Sequence, residues 1–219
     1  MKLSCKNLQV VLFDWDGTLA KSDKPRVLAI NQVLKEYNLP EWNIVMHKRN
    51  DMLSFLDNFP NIFGSKAKRA YLKFCEYYIQ YAKQCIKGYP NADKIINFFR
   101  SKGIKVALMT NKDRKLLEFE LPMLYPVDWF DKIVCGHEAP RDKPYGDQAL
   151  HTLKGLINTN SISPETVWII GDSKLDNLCA SAVNALPIRI NTPFTEEEKN
   201  LCKNVIFFQD YISLLNSII

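Results

Sequence analysis

The feature that most constrains the fold is a regular alternation along the chain. Short apolar and β-branched runs recur: VVLF at 10–13, IKVALM at 104–109, KIVC at 132–135, VWII at 167–170, LPIRI at 186–190 and VIFF at 205–208. Segments with helical spacing separate most of them, among them 92–102, which Gly103 closes, 146–157 and 173–184. A strand that is apolar at nearly every position, not only every second one, has to be covered on both faces. Such strands alternating with helices make a parallel sheet with helices on either side. The expected fold class is therefore α/β, with a doubly wound, mostly parallel sheet.

Residues 20–86 break the alternation. Helical spacing runs through PRVLAINQVLKEYN, DMLSFLDNF and the long SKAKRAYLKFCEYYIQYAKQC. That much helix does not fit one crossover between the first and second strands, so it predicts an inserted α-helical cap domain. The expected division is a core of residues 1–19 and 87–219 and a cap of residues 20–86. KGYPNA at 87–92 leads back to the core, and two short crossings would suit a hinge. A chain of 219 residues has length for both parts.

Composition narrows the class. No apolar run approaches the roughly 20 residues of a membrane span, so no membrane partner is expected. Lys2 and Lys6 flank a short apolar start that stops at Asp14 without a small-residue cleavage site; no signal peptide is read, and a cytoplasmic location is expected. Six cysteines (Cys5, Cys75, Cys85, Cys135, Cys179, Cys202) are scattered without a C-x-x-C pair, which favours reduced structural thiols over disulfides or zinc. The net charge of +5 does not call for nucleic acid and is compatible with small anionic substrates.

In a doubly wound sheet, ligands bind outside the carboxyl ends of the strands. The first strand ends in Asp14 and Asp16, the VALM strand in Thr110 and Asn111, and the VWII strand in Gly171, Asp172 and Ser173, with Asp176 four residues beyond Asp172. Lys143 lies in PRDKPYGD, the loop after the third strand. Carboxylates gathered in one crevice repel, so their pKa values rise or a cation sits among them. Hard oxygen ligands suit Mg²⁺. A carboxylate can also attack phosphorus as a nucleophile, and phosphoryl transfer then needs positioning and charge neutralisation. Thr110, Asn111, Lys143 and the backbone N–H groups around Asp16 and Gly17 are candidates for that. Period-two spacing lets Asp14 and Asp16 share one crevice while Trp15 turns into packing, and Gly17 permits the turn.

DWDGTLAKS, LMTNK, RDKPYGD and VWIIGDSKLD, in that order, resemble the four motifs of the haloacid dehalogenase (HAD) superfamily, whose core is Rossmann-like. The likeness spans residue 10 to about 190. The helical insertion resembles the C1-type cap of the subgroup that includes phosphoglycolate phosphatase and β-phosphoglucomutase. The resemblance implies a phosphatase that hydrolyses a small phosphomonoester metabolite through an aspartyl-phosphate. It implies Asp14 as nucleophile and Asp16 as acid, then base. Mg²⁺ would be held by Asp14, the backbone carbonyl of Asp16, and Asp172, with Asp176 in support. Thr110 and Lys143 would bind phosphoryl oxygens, with Asn111 assisting and Gly17 bringing amides close. A phosphomutase with the same intermediate is the alternative, and a non-catalytic binding protein a further one. Many members carry an acid where Lys21 stands; that position borders the cap entry and bears on substrate fit. Asp16 argues against dehalogenation.

The remaining polar residues are less pointed. His47, His137 and His151 have no matching partners, and no G-x-S-x-G is present. His137 is near the GHEAPRDKP loop, and a surface role is expected. Lys48, Arg49, Lys66, Lys68, Arg69 and Lys73 are expected on solvated cap faces, with one or two reaching the substrate. Phe74, Tyr77, Tyr78 and Tyr81 read as cap core. The tail DYISLLNSII reads as a terminal helix on the sheet, in a monomer or weak homodimer.

Overall fold

Every residue of the strand Val10–Phe13 (β1) is fully buried, and this strand is the middle of the structure. The computed structural model describes residues 2–48, 50, 52–201 and 204–219; Arg49 and Cys202 lie outside the described residues. Five further strands follow: Lys105–Met109 (β2), Lys132–Val134 (β3), Val167–Gly171 (β4), Leu186–Ile190 (β5) and Ile206–Phe208 (β6). All pair in parallel, in the order β3-β2-β1-β4-β5-β6. The chain steps outward from β1 to β3, then returns to lay β4 on the other side of β1. That reversal opens a crevice at the carboxyl ends of β1 and β4.

The side-chain alternation of the strands separates two apolar layers. Val11 and Phe13 of β1, Val106 and Leu108 of β2, and Trp168 and Ile170 of β4 join one core. Helices Ala92–Ser101 (α5), Arg114–Leu124 (α6) and Tyr211–Ser217 (α10) cover it through Phe99, Leu117 and Leu214. Val10, Leu12, Ala107, Met109 and Ile169 point to the other face. There Asp147–Leu153 (α7) and Lys174–Ala182 (α8) supply Ala149, Leu153, Cys179 and Ala180. The expected doubly wound parallel sheet is what forms. The tail docks as α10, with Tyr211 donating its hydroxyl to the Thr18 carbonyl at 3.0 Å.

Between β1 and α5 lie Asp23–Glu36 (α1), Trp42–Val45 (α2), Phe59–Phe63 (α3) and Ala67–Cys85 (α4). They share a separate apolar cluster in which Ile30, Leu34, Phe59, Phe74 and Tyr78 are buried, with Tyr77 and Tyr81 packed against it. The two connections to this helical part run side by side: the Lys21 N–H donates to the Lys87 carbonyl at 2.8 Å, and the Tyr89 N–H to the Leu19 carbonyl at 2.9 Å.

Two helices differ from the sequence expectation. Among its described residues, 52–59, DMLSFLDNF forms one 3-10 turn, Leu56–Asn58, before α3 begins. Asn58 donates its side-chain amide to the carbonyls of Asn50 (2.9 Å) and Ser54 (2.8 Å), and the Ser54 hydroxyl accepts the Asp57 N–H at 3.0 Å. Those side chains take the backbone partners a helix would use. Helix α7 stops at Leu153, four residues short of the expected end, because Lys154 is extended and Gly155 has φ +88°.

Phe99 packs against Phe13 and Trp168 with ring centroids 6.3 and 5.9 Å away. Phe99→Ala is expected to destabilise the fold by about 3–5 kcal/mol, read as a shifted denaturation midpoint. A change below about 1 kcal/mol would contradict this account of the core.

Candidate active site

The strand ends deliver their polar residues to one crevice. Asp14 follows β1 directly and continues its ladder, its N–H donating to the Ile170 carbonyl at 2.9 Å. Asp172 follows β4, and Asp176 lies in the first turn of α8. Carboxylate oxygens of Asp14, Asp172 and Asp176 all lie within 4.8 Å of one another. The buried Lys143 ammonium donates to Asp14 Oδ1 and Asp176 Oδ1, both at 2.6 Å, and to the Met109 carbonyl at 3.2 Å. Its loop is held by Asn111, whose side-chain amide donates to the Lys143 carbonyl (2.9 Å) and accepts the Lys143 N–H (3.1 Å). The Asn111 side chain thus sets the lysine's position. Thr110 is buried beside it and lines the same cavity.

Two glycines let the acids crowd. Gly17 has φ +80°, and a Cβ there would sit 2.2 Å from Asp172 Oδ2. A Cβ on Gly171 would sit 2.2 Å from Asp176 Cγ. The Gly17 N–H donates to the Ala20 carbonyl at 2.9 Å, so this glycine closes the turn and makes room for Asp172. Asp176 also anchors α8, accepting the Ser173 N–H at 3.1 Å in a reciprocal cap. Ser173 is the N-cap, which leaves Asp172 outside the capping role.

The electrostatics follow from this crowding. Burial is the main cause that pushes Asp14 up to about 7, with Lys143 opposing and Asp176 adding to the rise. Burial, then the charges of Asp14 and Asp176, push Asp172 well above the ordinary carboxylate range. Three carboxylates face one ammonium. Clustered hard oxygens with surplus negative charge fit a divalent cation, and Asp14, Asp172 and Asp176 are the residues placed to hold it.

Asp16 lines the same cavity but has another partner. Its Oδ1 accepts from Lys112 Nζ at 2.8 Å. Burial would raise the Asp16 pKa, but the charge and hydrogen bond of Lys112 outweigh it and hold it below the usual range. Trp15 is fully buried as expected, and its indole N–H also donates to Glu120 Oε2 at 2.6 Å.

The cavity of about 430 Å³ extends from these acids to the helical part, where Ser54, Phe55, Tyr71 and Arg26 line it. Among the described residues, the cap cations named from the sequence, Lys48, Lys66, Lys68, Arg69 and Lys73, do not line it. Lys48, Lys66, Lys68 and Arg69 are exposed, Lys73 pairs with Glu36, and Lys66 lies 5.8 Å from the Tyr37 ring centre. Among the described cap residues, the cation that lines the cavity is Arg26, in the first turns of α1. Its Nε is buried without a hydrogen bond, while another nitrogen pairs with Asp23. Lys21 stacks on Tyr89, 5.1 Å from the ring centre. His137 is half exposed, 3.6 Å from Asp57 and outside the cavity lining.

Sequence reasoning missed Arg26, Lys112, Glu120 and Arg189. Lys112 follows Thr110-Asn111 directly and had a signal in its position. Glu120 and Arg189 had none, since each is a charge within an otherwise apolar-patterned element. Arg189 is buried on β5, pairs with Glu198 at 3.2 Å and donates to the Thr192 carbonyl at 2.9 Å, holding the loop that rims the crevice.

The chain is thus a doubly wound sheet with a helical insertion after its first strand, and with acids and a lysine at the switch point. The sequence profile of the haloacid dehalogenase-like hydrolases matches residues 11–189, and the chain belongs to that family. It is a phosphatase within it. The chain is 31% identical over 173 residues to a phosphoglycolate phosphatase of Aquifex aeolicus, covering 77% of this chain and 78% of the relative. It is 26% identical over 174 residues to the pyrophosphatase PpaX of Bacillus cereus, covering 77% and 76%. In structure it is similar to CbbY from Rhodobacter sphaeroides in complex with phosphate, with a TM-score of 0.77, 18% identity, and 94% and 96% of the two chains covered.

Gly17→Ala is expected to destabilise the protein by at least about 1–2 kcal/mol, from the left-handed backbone alone. An unchanged denaturation midpoint would contradict the turn geometry.

Proposed function

We propose that the protein is a Mg²⁺-dependent phosphatase that hydrolyses a small phosphomonoester through an aspartyl-phosphate on Asp14. The observation that carries this reading is the separation of two carboxylates in one cavity: Asp14 on Lys143, and Asp16 on Lys112. Two acids in different surroundings can take different roles. Without a cation, burial keeps Asp14 up at about 7 and Lys112 holds Asp16 low. Beside a divalent cation, the Asp14 carboxylate would be favoured for attack, and the negative phosphoryl group of the substrate would raise Asp16 toward the protonated form that the first step needs.

In the first half-reaction an Asp14 oxygen attacks phosphorus and the bond from phosphorus to the ester oxygen breaks. The departing oxygen takes a proton from Asp16. In the second half, Asp16 removes a proton from water, the water oxygen attacks phosphorus, and the bond to Asp14 breaks, releasing phosphate. Lys143 and Thr110 neutralise and orient the phosphoryl oxygens, and Asn111 keeps Lys143 in place. Asp14, the backbone carbonyl of Asp16, and Asp172, with Asp176 in support, would hold Mg²⁺, which supplies charge neutralisation for the transferred group when bound.

Residues 1–19 and 87–219 act as the core and residues 20–86 as the cap. The separate apolar cluster of α1 to α4 and the paired connections support that division. Closure of the cap keeps water from the reacting group, and opening releases product. The relatives' names point to small anionic compounds, phosphoglycolate and pyrophosphate, and Arg26 faces the part of the cavity such a compound would enter.

Phosphate release is measured over a panel of phosphomonoesters with Mg²⁺ and with chelator. At least one compound is expected to release phosphate only with Mg²⁺, and Asp14→Asn to abolish it. Release from none, or release indifferent to chelator and to Asp14→Asn, would overturn the reading. Asp16→Asn is expected to slow turnover by about 10²–10⁴-fold with the Mg²⁺ activation curve unmoved, whereas Asp172→Asn moves that curve to higher concentration. A moved curve in the first variant, or an unmoved one in the second, contradicts those roles. Arg26→Gln is expected to raise KM about tenfold with a smaller change in kcat; an unchanged KM would remove Arg26 from the substrate.

A further inference from the structure

We propose that Lys112 is a positioning residue that makes the placement of Asp16 depend on the docking of helix α4, through Tyr78. The inference rests on the reading of Asp16 as the acid and base of the reaction.

Lys112 is a buried ammonium with three donors, and three acceptors surround it. They are Asp16 Oδ1 at 2.8 Å, Tyr78 Oη at 2.9 Å and Glu120 Oε2 at 3.1 Å. The Tyr78 ring centre is 4.4 Å from Nζ, a further attraction for the charge. The Tyr78 hydroxyl donates in turn to Glu120 Oε1. Glu120 is wholly buried on α6 and accepts from the indole of Trp15, the residue between Asp14 and Asp16. The contacts therefore close a ring: Asp16, Lys112, Tyr78, Glu120, Trp15, and back along the chain to Asp16.

A buried charge is tolerable only with its partners in place. With two donors bonded to Asp16 and Tyr78 and its charge paired with Glu120, Nζ is fixed, and Asp16 is held where Nζ puts it. Four members of the ring belong to the sheet part: Trp15, Asp16, Lys112 and Glu120. Tyr78 alone comes from the helical part, where it also packs with Phe74. Lifting α4 would remove Tyr78 Oη from both Lys112 and Glu120 and leave Asp16 on a loosened lysine. Docking of α4 thereby sets the group that protonates the leaving oxygen. A ring that merely pinned α4 to the sheet would affect stability and every substrate alike.

The leaving group separates these alternatives. p-Nitrophenolate departs without a proton, whereas an alkoxide needs one. Tyr78→Phe removes one oxygen and keeps the ring. It is expected to lower kcat/KM about tenfold on an alkyl phosphomonoester that the wild type hydrolyses, and less than about threefold on p-nitrophenyl phosphate. Lys112→Met is expected to show the same asymmetry, about 100-fold against less than about tenfold. In an Asp16→Asn background, Tyr78→Phe is expected to change neither substrate by more than about twofold. Equal losses on both substrates, or the same loss with and without Asp16, would overturn the proposal. If Lys112→Met does not fold, Tyr78→Phe with and without Asp16→Asn carries the test. A wild type inactive on both esters would instead overturn the proposed function.

Discussion

The ammonium of Lys143, held between Asp14 and Asp176, is the contact on which the rest of the site depends. It reaches there from a loop that Asn111 ties to the end of β2. It arrives at two acids that come from different sides of the sheet reversal, one after β1 and one on α8. Gly17 and Gly171 allow the approach, because a Cβ at either position would collide with an acid. Even so, the account of charge does not close. Asp172 sits in the same cluster, and among the described residues its hydrogen-bond partners are weak, Thr18 at 3.4 Å and Thr192 at 3.5 Å. One lysine does not balance three carboxylates, of which Asp14 and Asp176 are buried and Asp172 is partly exposed, and that imbalance is the physical argument for a cation.

A second lysine divides the chemistry. Lys112 takes Asp16 out of the crowded cluster and gives it a different electrostatic setting from Asp14. Each lysine also serves as a structural tie. Lys143 joins the loop after β3 to α8, and Lys112 joins the loop after β2 to α4 and α6. Fold and site share the same contacts, so a change meant for catalysis at either lysine is also a change in packing.

The sheet was legible in the sequence because its strands are buried on both faces, which leaves runs such as VVLF and VWII without polar interruption. The residues at their ends were legible for a related reason: Asp14, Thr110 and Asp172 interrupt those runs where the strands stop. The stretch from 51 to 59 was not, since helical spacing of its apolar residues hid Asn58 and Ser54, whose side chains bond the backbone locally. The basic residues around the start of α4 take the solvated faces expected of them, but nothing in the sequence pointed to Arg26. Lys66 and Lys73 meet Tyr37 and Glu36 on the outer face, whereas Arg26 faces inward from α1. Which way a helix turns its charges depends on its neighbour, and α1 against α4 is a tertiary contact with no local signal. Glu120 was hidden the same way, a single acid in α6 that becomes a buried partner only when Trp15, Tyr78 and Lys112 converge on it.

The acid cluster carries more negative charge than its lysine balances, which leaves room for a divalent cation. With its pKa raised to about 7 in the fold, Asp14 favours the protonated form there more than it does in the unfolded chain. The stability that Asp14 contributes to the metal-free protein is therefore lost as pH rises from the ordinary carboxylate range through that value. The most direct measurement is thermal unfolding of the metal-free protein, titrated with Mg²⁺ at about pH 8 and about pH 5. The account predicts a Tm that rises with Mg²⁺ at the higher pH, and a smaller rise at the lower, where protons compete for the same oxygens. A Tm indifferent to Mg²⁺ at the higher pH would contradict it.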